Sequence, residues 1–386
     1  MYVIQSGTLF EVNNGTLVEF KSPFAEDFYE EDRRSWGSES WKYKQGDNND
    51  PETSLVPRSM LWGGRGQGRQ PAQAKFAAVF GTRERLYYVL ELSTSCGLFY
   101  YDLAQKLETR VFHRTDFKPQ GLFVDENDYS ILTTINNPDG AVHLALYDAE
   151  GKRERIITSG DCRDENPYRL GSDIYYQSSG LARDAGGAVA AVGPSAICKL
   201  NMDTGDVDEI LSSEKHDYLL PHVAADGTLY CIRAPYQAGP VYPLKNRLLD
   251  IVLFPWRLCV AIFAFLNVFS MFFAKTPLTT AGGPNSKKVD LSGRILHNRM
   301  VNMRQTWKQE GRKVAVSKDW KLMKFVAGQL SEIASNALWF DLDSEGRPVY
   351  TDGYALYDSS GKSAVDTDEM LTCLAARRGP IEIAPA

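Results

Sequence analysis

Pro348-Val-Tyr-Thr-Asp-Gly-Tyr-Ala-Leu-Tyr-Asp-Ser-Ser-Gly361 resembles Met1-Tyr-Val-Ile-Gln-Ser-Gly-Thr-Leu-Phe-Glu-Val-Asn-Asn-Gly15, at the other end of the chain. Each reads as an apolar strand, a polar turn ending in Gly and the start of another strand. The N-terminal copy lacks the strand that precedes its relative. Ile381-Glu-Ile-Ala, near the C-terminus, is expected to supply it. A chain whose last strand completes its first sheet closes on itself and leaves no sheet edge to template aggregation.

The same hairpin recurs between the ends. Leu98-Phe-Tyr-Tyr-Asp-Leu-Ala-Gln105, Leu144-Ala-Leu-Tyr-Asp-Ala-Glu-Gly151 and Cys198-Lys-Leu-Asn-Met-Asp-Thr-Gly205 are spaced by about 50 residues, near the length of a four-stranded propeller blade. A second periodic element keeps step with them: Asp116-Phe-Lys-Pro119, Asp164-Glu-Asn-Pro167 and Asp217-Tyr-Leu-Leu-Pro221. Asp-Gly turns follow, at 139–140 and 226–227. The pattern predicts an all-β fold, a six-bladed β-propeller with a hydrophobic helical insertion in one blade; a count of seven is also compatible. Residues 1–20 are expected to complete the closing blade, 21–74 to form a long loop insertion and 75–236 to form blades. Residues 237–293 form the hydrophobic insertion, and 294–386 supply the remaining blades and the closing strand.

The Asp-x-x-Pro entries, Asp-Gly turns and Tyr-Asp-x-x-Gly hairpins resemble those of the TolB-like, six-bladed members of the WD40-like propeller group. Phe254-Pro-Trp-Arg-Leu and Phe265-Leu-Asn-Val-Phe-Ser are similar to an insert found in bacterial TolB-like proteins. The resemblance implies an interaction module in an envelope or transport assembly.

Composition narrows the partners. With 43% hydrophobic and 24% charged residues the chain can bury a core, and a net charge of −6 argues against a nucleic-acid surface. The cysteines, at 96, 162, 198, 231, 259 and 373, have neither Cys-x-x-Cys nor zinc-finger spacing. The N-terminus shows no basic, apolar and small-residue succession of a signal peptide, so a cytoplasmic location is expected.

Two stretches interrupt the repeat. The first, 21–74, carries Phe24, Phe28, Trp36 and Trp41 and a Gly/Arg run from Gly63 to Arg69; its aromatics are expected to pack partly on the propeller. The second runs from Ile251 to Ala274 with a single charge, Arg257. Pro255 suits a first helical turn and Pro277 an end, giving roughly 19–20 residues, nominally enough to cross hydrocarbon. A single crossing would put the two halves of a closed ring on opposite sides of the bilayer, and basic residues flank both ends, so the positive-inside tendency sets no direction. An in-plane or re-entrant helix fits both facts. Phe254, Trp256, Phe263, Phe265, Leu266, Phe269, Phe272 and Phe273 would then sit among acyl chains, with Lys245, Arg247, Arg257 and Lys275 at headgroups. The expected partners are a membrane surface and an unidentified protein, with no nucleic acid, on the inner face of the membrane. Burial of the helix in a homo-oligomer interface is the alternative.

For chemistry, the candidates are Asp116, Asp164, Asp217 and His216, which a propeller would gather at one mouth of its channel. They form either a polar, cation-binding funnel, as in a metal-dependent hydrolase, or a set of repeated turn-capping aspartates. His222 flanks the same entry, and His113, His143 and His297 complete the histidines. No catalytic constellation can be assembled: Gly-x-Ser-x-Gly, His-Glu-x-x-His and the phosphate loop are all missing. No cofactor is implied beyond a divalent cation at that mouth.

Overall fold

A computed structural model describes residues 1–13, 15–44, 74–92, 95–115, 117–119, 121–152, 154–236, 293–296, 299–302, 307–309 and 311–376. The chain opens with β1 (Tyr2–Gln5), β2 (Thr8–Asn13) and β3 (Thr16–Glu19), followed by helix α1 (Pro23–Lys44). The next sheet is a meander of β4 (Lys75–Gly81), β5 (Arg85–Glu91), β6 (Cys96–Asp102) and β7 (Leu107–Arg114). Strands β8 (Leu122–Val124), β9 (Ile131–Asn136), β10 (Val142–Tyr147) and β11 (Glu154–Ile156) repeat it. So do β12 (Cys162–Leu170), β13 (Asp173–Arg183), β14 (Val189–Asn201) and β15 (Val207–Leu211), joined to the preceding sheet by one parallel pairing, Val142 with Arg163.

The fifth sheet is interrupted. Strands β16 (His216–Val223) and β17 (Leu229–Pro235) pair with β22 (Lys321–Val326) and β23 (Gln329–Ser335). Between them lie two hairpins, β18 (Gly293–Leu296) with β19 (Arg299–Asn302), and β20 (Trp307–Gln309) with β21 (Arg312–Val314). The sixth sheet is β24 (Trp339–Leu342), β25 (Pro348–Thr351), β26 (Ala355–Tyr357) and β27 (Ser363–Asp366). Last comes β28 (Leu371–Ala375), which pairs with β1.

The described residues thus contain six four-stranded meanders. Their first strands, β28, β4, β8, β12, β16 and β24, touch in cyclic succession. This is a closed β-propeller. Its closure differs from the sequence expectation in one respect: Leu371–Ala375, and not Ile381-Glu-Ile-Ala, is the strand beside β1, with Val3 opposite Leu374. Residues 381–384 lie outside the described residues. The chosen strand buries Leu371, Cys373, Leu374 and Ala375, whereas its rival offers isoleucines at two alternate positions only.

Local chemistry sets the hairpins. In Tyr-Asp-x-x-Gly the acidic side chain turns back on its own backbone: Asp148 Oδ1 accepts the N–H groups of Glu150 and Lys152, and Asp358 Oδ1 those of Ser360 and Lys362. Asn201 does the same for Asp203 and Thr204. These Asx caps fix a turn whose last residue needs positive φ, supplied by Gly151, Gly205 and Gly361.

Helix α1 begins within residues 21–74, where the sequence predicts a loop insertion. Ser22 caps it, accepting the Ala25 N–H at 3.2 Å, and Pro23 stands at its first position. Glu108 of β7 reaches the same terminus, accepting the Ser22 hydroxyl and the Phe24 N–H. Phe24 packs on Phe99 with ring centroids 4.7 Å apart. The side chains of Trp36 and Trp41, the Gly/Arg run and the apolar stretch 251–274 lie outside the described residues. Residues 1–30, 72–238 and 292–386 form one compact unit, the ring; 31–71 and 239–291 form another, of which 31–44 are described as helix. Among the described residues no helix is long and apolar enough to cross a membrane.

Candidate functional site

The site grows from the irregularity that the Asp-x-x-Pro entries impose on the inner strands. Proline lacks an N–H, so a strand accommodates it at a bulge. The β12–β13 register slips between Glu165 and Tyr168, and the β16–β17 register between Leu219 and His222. Within these slips Asn166 and Leu220 take φ of 50° and 52°. The slip turns the residue after each proline, Tyr168 and His222, into the channel. Gln177 pins both bulges: its Oε1 accepts the Asn166 amide at 3.0 Å and the Leu220 N–H at 3.1 Å, while its Nε2 donates to Glu165. Arg163 completes the network by pairing with Glu165 at 3.0 Å.

The inner strands enclose a cavity of about 200 Å³ to which all six contribute, through residues such as Phe80, Leu122, Tyr168, His222, Asp341 and Cys373. Five successive inner strands each place one ring in a continuous belt. Phe80 meets Phe123 at 5.2 Å, Phe123 meets Tyr168 at 5.1 Å, Tyr168 meets His222 at 4.8 Å, and His222 meets Phe340 at 4.8 Å. Such tilted and edge-on pairs add to the burial of apolar area.

One ionisable pair interrupts this apolar belt. His222 Nδ1 lies 3.1 Å from Asp341 Oδ1. The same carboxylate accepts the N–H groups of Leu342 and Ala376, each at 2.8 Å. The arrangement orients an imidazole, and the thiol on the same wall is a poor nucleophile: burial pushes Cys373 up to about 12. Thr372, also on the wall, donates its hydroxyl to the Ile4 carbonyl. The cavity wall thus combines an apolar belt of rings with one imidazole held against a carboxylate.

The residues singled out from sequence lie elsewhere. Asp116 is outside the described residues. Asp217 is buried on β16 and accepts the Ser195 N–H of the preceding sheet at 2.8 Å. Asp164 is buried on β12 and accepts the Ser178 hydroxyl at 2.7 Å. His216 contacts Ser213 at 3.3 Å. The two aspartates bond across strands and between sheets, where the sequence reading expected turn caps or an open funnel, and neither they nor His216 line the cavity. Asp164 does have other company: His143 and Cys162 offer ligand atoms within 4.8 Å of each other and of its carboxylate. Burial and the adjacent Asp164 push the Cys162 thiol up to about 12.

His222 had a signal in the sequence, since it follows Pro221 as Tyr168 follows Pro167. Asp341 had none, because its strand lacks the Asp-x-x-Pro spacing.

No family model matches this sequence, and no curated protein does. Among solved structures, TolB from Acinetobacter baumannii is similar over 78% of this chain and 58% of its own, with a TM-score of 0.42 and 10% identity. The tricorn protease is similar over 96% of this chain and 33% of its own (TM-score 0.41, 11% identity). An oligogalacturonate lyase in complex with manganese is similar over 44% and 49% (TM-score 0.33, 11% identity). This chain thus spans little more than half the length of the TolB structure it matches.

Proposed function

We propose that this protein is a membrane-peripheral β-propeller that serves as a protein-interaction scaffold, held to a lipid surface by the apolar run 251–274. One observation carries the reading. Arg233 of β17 and Lys321 of β22 are register partners in one sheet, so the chain leaves the ring after Pro235 and is back at the same edge by Lys321. Antiparallel alternation puts that exit at the end of the ring where the inner strands begin, since His216, the first residue of β16, is opposite Pro235. The excursion between β3 and β4 opens on the same end: the Gly7 carbonyl accepts the N–H of Phe76, next to the start of β4. A single bilayer crossing would require two hydrogen-bonded strands to stand on opposite sides of the membrane.

An apolar run that dips in and returns meets no such conflict. Its large side chains, Phe254 and Trp256 through Phe273, each favour transfer from water by about 1.5–3 kcal/mol. Lys245, Arg247, Arg257 and Lys275 suit headgroups. Two further features support a binding role on the inner face of the membrane. The cavity's imidazole faces Asp341 of the neighbouring sheet, and the described cysteines, Cys96, Cys162, Cys198, Cys231 and Cys373, are free thiols.

Flotation with anionic liposomes tests the proposal. The full chain is expected to rise with the lipid. A variant lacking 251–274 is expected to keep its melting transition and stay in the bottom fraction. A full chain that stays below the lipid and runs as a dimer in buffer overturns the anchor and transfers the apolar run to a subunit interface.

A further inference from the structure

We propose that His143, Cys162 and Asp164 form a binding site for a zinc-class divalent cation at the seam between the third and fourth sheets. Strand alternation builds the cluster. Cys162 and Asp164 stand two residues apart on β12 and so project to one side. The parallel pairing of Val142 with Arg163 brings β10, and with it His143, alongside. The result is one nitrogen, one sulfur and one carboxylate oxygen whose mutual separations are all within 4.8 Å.

Three further features distinguish this cluster from a chance grouping. His143 is only 7% exposed, and its Nδ1 is buried with no hydrogen-bond partner among the described residues. A buried polar atom left unpaired is costly, and a metal bond or a reorientation towards one removes that cost. Asp164 is braced as ligating carboxylates usually are: Ser178 donates to Oδ1 at 2.7 Å while Oδ2 faces Cys162 Sγ at 3.3 Å. Finally, Cys162 is only half-buried, which leaves an approach from solvent.

The donor set chooses the metal. Calcium and magnesium take oxygen ligands, whereas a mixed imidazole, thiolate and carboxylate set suits zinc in tetrahedral geometry. On binding, the Cys162 S–H bond is replaced by a sulfur–metal bond and the proton passes to solvent; no electron is transferred. One thiolate and one carboxylate then balance the dication, and a fourth position stays open to water. Such an ion would tie two blades together at a seam that strand pairing joins only once.

The test uses the full chain, stripped of metal with a chelator and titrated with Co²⁺ and then Zn²⁺. One equivalent of cobalt should bind with a thiolate-to-cobalt charge-transfer absorption, and zinc should displace it. Cys162→Ser should abolish that absorption while the far-ultraviolet circular dichroism is unchanged. Ser178→Ala should weaken zinc binding by ~10–100-fold, as loss of an outer-shell partner does. Cys198→Ala should leave the absorption intact. A chain that binds no cobalt, or a Cys162→Ser variant that keeps the charge-transfer band, overturns the proposal. Because Cys162 is half-buried, its serine variant decides the question even if variants of the buried Asp164 fail to fold.

Discussion

Asp341 gathers three partners on one carboxylate: the N–H groups of Leu342 and Ala376, and the imidazole of His222. Ala376 directly follows β28, so this side chain also ties the closing strand to the sixth sheet. Replacing Asp341 by alanine strands buried donors, and breaking a buried pair in that way costs about 3–5 kcal/mol. Asp341→Asn keeps an acceptor and should lose less; urea unfolding of the two variants gives the comparison. The sequence made only part of this residue-level chemistry visible. Asp164 and Asp217 stood out because they recur with the repeat, but their bonding to Ser178 and Ser195 depends on strand register, which no local spacing encodes. Asp341 was hidden for the converse reason: it acts with residues 119 and 35 positions away, outside any repeat.

At the level of elements, the proline-induced bulges matter most, because they aim Tyr168 and His222 inward. Gly121 shows how closely neighbouring inner strands then approach. It takes φ +113°, and a Cβ there would lie 2.6 Å from the Asn166 Cα. Both the backbone conformation and the space exclude a side chain. Gly121→Ala should therefore destabilise the ring by about 1–3 kcal/mol, measurable as a lower denaturation midpoint with an unchanged slope. The hairpins were legible from Asp, Asn and Gly at fixed offsets, since an Asx turn is local chemistry. Helix α1 was not. Its Ser22-Pro23 start is a recognisable cap, but the run after it mixes acids, arginines and aromatics without a clean apolar stripe, so periodicity gave no helix. The closing strand was misplaced because two short apolar segments near the C-terminus compete. Burial against β1 selects Leu371–Ala375.

On the scale of the molecule, closure connects everything else. The first and last strands share one sheet, five inner strands pass a belt of rings from Phe80 to Phe340, and β28 closes the circle. A ring of this kind stays on one side of any bilayer it meets. Strand register puts the ends of both long excursions where the inner strands begin. The fold class was readable because its repeat is written in turn chemistry; the ligands of the seam and the pair in the channel arise only when distant repeats are brought together. Thr204 and Ser360 are exposed and lie on opposite sides of the apolar run in sequence. The decisive measurement places a single reporter cysteine at either position, in chains whose other reactive thiols are blocked or replaced, bound to sealed vesicles. A membrane-impermeant maleimide should label both reporters equally from the same side. Labelling of one from outside and of the other only after the vesicles are opened would contradict a closed ring resting on a single membrane face.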